Sequence, residues 1–491
     1  MLSDKRKVAL YSAIIFVVLV VSCGVFVMRY GIPASPKNIK VTASNFALPK
    51  SQSWKLDNGL TVYYYFDPQI PLVSGTLFVP GGSLFDPLDK IGLATATGSQ
   101  MRNGGTLNYP PDMLDEKLDN LGATIESGFD SDYGTVGFSS LAEDIDEVFG
   151  IFAEVVQKPR FDGRRFELFK GQMSDSIGRR KDSAETMTSM LFTQVVYGDN
   201  SVYGKHSTRK SITAVNMADL KEFYKKFVTP ENAYLAVAGP VSIDVIKNLI
   251  ETHFSGWKAK QASSGVPSAL PEIKSNYRPG VYVLNRDFAQ ANILIGHLGP
   301  SRFTDDFHAM QVYNRVFGLS GFDSILFNEV RTKAGMAYSV YGGLIGAAKA
   351  GVFQVELATK NATAGEAISK VLSIINEYQG KPFSAEKVNL AKKALEQTFV
   401  FRFADIKNIP VREVTLALFG FPKNYDEDYL KNLSLVTSEN TAEVSSKWIK
   451  NDALYIVIVG KVNIEDIKSQ LGSNFEYHEM SFDEVGKLKG F

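Results

Sequence analysis

Apolar residues form two successive runs of strand-like and helix-like patterns after residue 50. The first begins at residues 54–62, where Asn58-Gly59 lies between apolar segments and predicts a hairpin turn. Strand patterns continue over residues 63–67 and 72–79 and stop at Pro80-Gly81-Gly82. In residues 92–106, Leu93, Ala94, Ala96 and Met101 are spaced to give a short helix a packing face. Helical periodicity covers residues 110–121 and 142–156, an apolar run at 233–239 predicts a strand, and 243–253 predict a helix ending near Gly256 and Trp257.

The second run repeats the first. Residues 281–285 and 291–298 read as strands, 307–317 as a helix, 351–358 as a strand, 365–378 as a helix and 455–460 as a strand, with a helix from Ile464. Lys158-Pro159-Arg160-Phe161 is echoed by Lys381-Pro382-Phe383, and the apolar strand at 233–239 by that at 453–460. The pattern therefore predicts two homologous α+β units, residues 51–260 and 277–482, joined by a Ser- and Pro-containing linker at 261–276 and followed by a tail at 483–491. Tandem units of this kind are expected to face each other across a ligand cavity.

Composition narrows the function classes. The chain has 491 residues, enough for more than one core, and a formal net charge of zero, which argues against a protein dedicated to nucleic acid. A single cysteine excludes an intrachain disulfide framework and a multi-cysteine metal site. The five histidines are scattered, and no two lie within one helical turn. His206 reads as a loop residue. Gly342-Gly343-Leu344-Ile345-Gly346 lacks the Lys-Ser/Thr of a phosphate loop and reads as a flexible turn.

At the N-terminus, Lys5, Arg6 and Lys7 precede an uncharged, mostly apolar run, residues 8–28. At ~1.5 Å per residue such a run spans roughly a bilayer core. Residues 1–28 are therefore expected to be a membrane anchor with the body extracytoplasmic, facing a bacterial periplasm, and 29–50 a linker. Two alternatives stay open: a cleaved signal segment, and a lipoprotein attached at Cys23, since Val20-Val21-Ser22-Cys23 resembles a lipoprotein box.

Several motifs carry a family resemblance: Leu56-Asp57-Asn58-Gly59-Leu60-Thr61-Val62, Phe227-Val228-Thr229-Pro230-Glu231-Asn232-Ala233, Asn328-Glu329-Val330-Arg331, and Gly335-Met336-Ala337-Tyr338-Ser339-Val340. In this order and spacing they resemble the insulinase/pitrilysin-like zinc peptidases, whose metal helix carries an inverted H-x-x-E-H motif. The resemblance implies two units, each an antiparallel-rich sheet with helices on one face, closing like a clam shell around an unfolded peptide. Laid on Gly92-Leu93-Ala94, the motif puts Thr95 and Ser99 at the two histidine positions and Gly98 at the general base, with Ser176 at the third ligand. Thr and Ser hydroxyls stay protonated near neutrality, and glycine moves no proton, so no metal is expected in this chain.

The resemblance also implies what remains. Arg331 and Tyr338 match an arginine–tyrosine pair that reaches the peptide backbone near the scissile bond, and Thr76-Leu77-Phe78-Val79 matches an edge strand that adds the peptide, making Leu77 and Phe78 substrate-binding candidates. Arginine offers forked donors to a carbonyl, and a tyrosine hydroxyl can donate to an oxyanion. Two-chain relatives divide labour in this way. The expectation is a non-catalytic, membrane-tethered subunit that binds unfolded peptide beside a zinc-bearing homologue in a heterodimer. The alternative is a peptide-binding or scaffold protein with no role in proteolysis.

Overall fold

The structure is a computed structural model that describes residues 47–258, 272–482 and 488–490. The apolar run at 8–28 and its expected membrane span lie outside the described residues. Among those described, no helix is long and apolar enough to cross a membrane.

The first half contains β1 (Gln52–Lys55), β2 (Thr61–Phe66), β3 (Leu72–Pro80), β4 (Thr124–Phe129), β5 (Tyr133–Leu141) and β6 (Tyr234–Gly239). Its helices are α1 (Leu93–Asn103), α2 (Pro111–Asn120), α3 (Ile145–Gln157), α4 (Gly163–Arg179), α5 (Ala184–Tyr197), α6 (Arg209–Ala214), α7 (Met217–Phe227) and α8 (Ile243–Phe254). Gly59 at the first turn has φ +100°, a conformation open to glycine, and a β-carbon there would lie 2.7 Å from the Glu231 backbone. The second half contains β7 (Gly280–Asn285), β8 (Gln290–Leu298), β9 (Ser339–Ile345), β10 (Val352–Lys360), β11 (Tyr455–Gly460), β12 (Tyr477–Phe482) and β13 (Leu488–Gly490). Its helices are α9 (Phe307–Phe317), α10 (Ala364–Tyr378), α11 (Ala385–Phe399), α12 (Asn408–Leu418), α13 (Tyr425–Ser434), α14 (Ser438–Trp448) and α15 (Ile464–Leu471), with a π-helix at Phe327–Lys333.

The strands form two mixed sheets, ordered β1-β2-β6-β3-β5-β4 and β13-β12-β7-β11-β8-β10-β9. Pairing is antiparallel except for β2 with β6 in the first sheet and β7 with both β11 and β12 in the second. The internal repeat is visible in the registers. Leu72 pairs with Leu141 and Pro80 with Tyr133; in the same relation Gln290 pairs with Lys360 and Leu298 with Val352. Each sheet buries one face under helices of its own half. Phe149, Phe152 and Phe254 fill the first core; Phe317, Phe353 and Ile368 lie in the second.

The opposite faces correct two expectations. Helices are not confined to one face of each sheet, because each half covers the other's second face with a helix. From the first half, α5 lies across β8 and β11, packing Met187, Leu191 and Val195 against Tyr282, Leu294, Val457 and Val459. From the second half, α12 lies across β6, β2 and β3, setting Val414 against Phe78 and Ala236. Arg302 adds a 2.7 Å ion pair to Asp132, its guanidinium 4.2 Å from the centre of the Phe419 ring. Lys50 meets Glu427 at 2.7 Å. Two halves that exchange helices are interlocked, in place of the expected clam shell.

Candidate functional site

The helix at the expected metal position is well formed. Asp86 anchors its start, accepting hydrogen bonds from the Gly92 and Ala94 amides at 2.8 and 2.9 Å. Burial pushes the Asp86 carboxyl up to about 6 against the pull of these amides. Gly92, at φ +109°, turns the chain into α1. Leu93, Ala94, Ala96 and Met101 are buried and seat the helix, as its apolar spacing predicts.

The metal positions do not fit zinc. Thr95 is exposed on α1, and the half-buried Ser99 hydroxyl accepts a hydrogen bond from Asn103 Nδ2 at 3.1 Å. Ser176 is exposed on α4, which packs against α1. Gly98 is the most constrained: a β-carbon there would stand 2.7 Å from Gly128 Cα and C and from Phe129 N. The Ser127 hydroxyl donates to the Gly98 carbonyl at 2.6 Å, fastening α1 to β4 at this point. The place at which the resemblance puts the general base is thus closed by backbone. Among the described residues, no three His, Cys, Asp or Glu side chains gather where they could hold a metal ion.

The edge strand also differs from the expectation. Leu77 and Phe78 lie on β3, which pairs with β6 on one side and β5 on the other; both side chains are buried. With both backbone edges taken, they cannot add a peptide strand. The outer strand is β4, beside α1. The Asp130 amide donates to the Tyr133 carbonyl at 2.8 Å, and this sets the hairpin's alternation. Ile125, Ser127 and Phe129 then direct their backbone groups away from β5. Arg102 Nε donates to the Ile125 carbonyl at 3.1 Å, and among the described residues no strand lies beyond Ser127 and Phe129. The outer edge of the second sheet is closed instead. The Asn314 side chain both donates to the Leu344 carbonyl and accepts from its amide, each at 2.8 Å, and the Gly342 amide donates to Gly318 O at 3.3 Å. Gly342 and Gly343 therefore lie in a strand, not in a flexible turn. A β-carbon on Gly343 would reach 2.6 Å from Asn314 Oδ1.

Arg331 and Tyr338 precede β9, Tyr338 by one residue and Arg331 in the π-helix before it. Arg331 belongs to the π-helix, an element that recurs at functional sites. Its guanidinium carbon lies 4.6 Å from the Phe327 ring centre, 4.9 Å from Tyr338 and 5.9 Å from Phe322. The carboxylate two residues earlier, Glu329, is occupied by Lys333 and Lys370 at 2.6 and 3.1 Å. Tyr338 is 76% exposed and Phe322 77%. Arg331 itself is half-buried, and among the described residues its guanidinium meets these rings and no carboxylate, which suits a carbonyl or carboxylate ligand.

His206 lies in a loop, as expected, but is tied down: Nε2 sits 2.7 Å from the Thr193 hydroxyl on α5. Burial, followed by the charge of Arg180, lowers its pKa to about 4. It lines a cavity of ≈ 290 Å³ with Gln194 and Asp199, and neither Arg331 nor Thr95 is part of that lining.

The comparisons agree with this fold. The family model described as Insulinase (Peptidase family M16) matches residues 61–203, and that described as Peptidase M16 inactive domain matches 214–395. The chain belongs to the M16 peptidase family. An uncharacterized zinc protease of Mycobacterium leprae is 26% identical over 267 residues, 54% of this chain and 59% of that relative. One of Rickettsia bellii is 27% identical over 295 residues, 58% and 68% of the two chains. Among solved structures, a peptidase M16 inactive domain from Pseudomonas fluorescens superposes with a TM-score of 0.75 at 23% identity, covering 84% of this chain and 98% of that one. A protease from Helicobacter pylori superposes with a TM-score of 0.72 at 18% identity, covering 84% of this chain and all of the other. This M16 chain thus has the family's two-sheet fold.

Sequence reasoning missed the β4 edge and the π-helix. The edge had a signal: a continuous apolar run such as residues 76–79 marks a strand buried on both faces, which is commonly a central one. The π-helix had none in periodicity, because its extra residue is seen only when helix lengths in the two halves are compared.

Proposed function

We propose that this chain is a non-catalytic subunit of an M16 peptidase, presenting peptide-binding groups to a zinc-bearing homologue. One observation carries the reading. The helix that the resemblance matches to the metal helix is closed by backbone at Gly98, while the half-buried Arg331 and the exposed Tyr338 stand together without a carboxylate partner among the described residues. In this assembly the hydrolytic chemistry belongs to the partner. Arg331 binds a peptide carbonyl through its forked donors, and the Tyr338 hydroxyl donates to the oxygen that gains charge. The outward groups of Ser127 and Phe129 offer a second, strand-like contact for an extended peptide. The apolar run at residues 8–28 would tether the subunit to a membrane with its body on the periplasmic side.

The test is the purified chain alone. It should bind no stoichiometric zinc by mass spectrometry and cleave no unfolded polypeptide. One zinc per chain, lost in Thr95→Ala or Ser99→Ala, would overturn the proposal.

A further inference from the structure

The first half serves as an internal reference for the second, and the comparison bears on how Arg331 and Tyr338 are presented. At the end of α2 the Gly122 amide donates to Asp119 O, and the Ala123 amide donates to Leu118 O, with Gly122 at φ +56°. This is the paired closure of a helix by a left-handed glycine. The counterpart is Gly335, at φ +62°. Its amide donates to Arg331 O, and the Met336 amide donates to Val330 O. Each bond reaches one residue further back than in the first half. Leu118 and Val330, the two acceptors, are both buried. Val330 therefore corresponds to Leu118 and Arg331 to Asp119, and one residue among Thr332, Lys333 and Ala334 is extra. A helix absorbs one extra residue as a π turn, which is what Phe327–Lys333 forms.

The sheet registers give the rest of the difference. Thr124 pairs with Ser139, and Ser339 pairs with Ala358, at matching places on β5 and β10. Thr124 thus corresponds to Ser339. In the first half Ala123 leads directly to Thr124; in the second, Ala337 and Tyr338 stand between Met336 and Ser339. Tyr338 lies on a dipeptide without a first-half counterpart, and Arg331 lies just before the extra helical residue.

We infer that these inserted residues are a positioning device: the π turn sets Arg331 in register with Tyr338, and the fold itself does not need it. The inference rests on the peptide-binding reading of the pair. It says that chain length, as well as residue identity, makes this site.

The test uses the full-length chain in detergent, with fluorescein-labelled, reduced and carboxymethylated α-lactalbumin as the unfolded probe. Deleting Thr332 keeps both Arg331 and Tyr338 but restores the first half's helix length. Binding should fall at least tenfold, as in Arg331→Ala, with the thermal midpoint little changed; Thr332→Ala should bind like wild type. Deleting Lys333 or Ala334 instead should give the same result, because the three are equivalent in register. Amide exchange gives a readout independent of binding. Gly335 and Met336 should stay protected in the deletion, as Gly122 and Ala123 are. Wild-type binding by the deletion variants would overturn the inference, and so would unfolding or loss of protection in all three. If Arg331→Ala itself binds like wild type, the peptide-binding reading fails, and the exchange data alone decide whether the fold tolerates the shorter helix.

Discussion

At position 98 the question is steric before it is chemical. A methyl group there would enter the Gly128 and Phe129 backbone at 2.7 Å, whereas one on Gly128 would meet nothing within 4 Å. Gly98→Ala should destabilise the chain by about 1–3 kcal/mol in denaturant unfolding, and Gly128→Ala by less. Restoring the motif with Thr95→His, Gly98→Glu, Ser99→His and Ser176→Glu should lower stability further without giving one zinc per chain. Full zinc loading at wild-type stability would refute the steric argument. Two titrating residues add a pH dependence. His206, lowered to about 4, binds fewer protons folded than unfolded between about pH 4 and 6.5, so its contribution is present above that window and lost as pH falls through it. Asp86, raised to about 6, acts in the opposite sense, losing its contribution as pH rises from the ordinary carboxylate range through about 6. The stability difference between wild type and His206→Gln should therefore shrink on acidification from pH 7 to pH 4, measured by denaturant midpoints. A constant difference would contradict the assignment. The motif singles out Arg331 and Tyr338 in the sequence, and the structure brings their side chains together; Gly98 is singled out by register alone, and its close contact depends on Gly128 thirty residues away.

At the scale of elements, the periodicity identified strands and helices well where one face is buried. It located α1, α9 and the strands around Tyr234, Ile293 and Ile456. Strand order is absent from such a pattern, and nothing in it contradicts the edge position that the resemblance implies for β3, which lies between β6 and β5. The destination of a helix is absent too. The apolar residues of α5 announce burial, but nothing local says that they meet β8 and β11 of the other half. Leu191, fully buried on α5, gives the measurement. Leu191→Ala should cost about 2–5 kcal/mol. Because α5 roofs the second sheet, amide protection should fall in β8 and β11 as well as in the first half. Protection lost from α5 alone would argue against the exchange as a stabilising contact.

For the whole molecule, the exchanged helices change where a peptide chamber can be. The two halves share cores at α5 and α12 and carry the Arg302–Asp132 bridge between them. Neither half should fold when produced alone, whereas the two produced together should associate; independent folding of residues 47–258 would contradict the interlock. Among the described residues the shared cores leave no open chamber between the halves, and the proposed peptide contacts are divided between the β4 edge and the Arg331–Tyr338 cluster. The account therefore makes the chain one wall of a site whose other wall, with the metal, comes from a partner. The most direct test is peptide cleavage by the complex recovered with this chain from native membranes. Cleavage should be present with wild type, depend on a zinc-bearing co-purified chain, and drop at least tenfold with Arg331→Ala while the complex stays assembled. Undiminished cleavage by the Arg331→Ala complex would contradict the account.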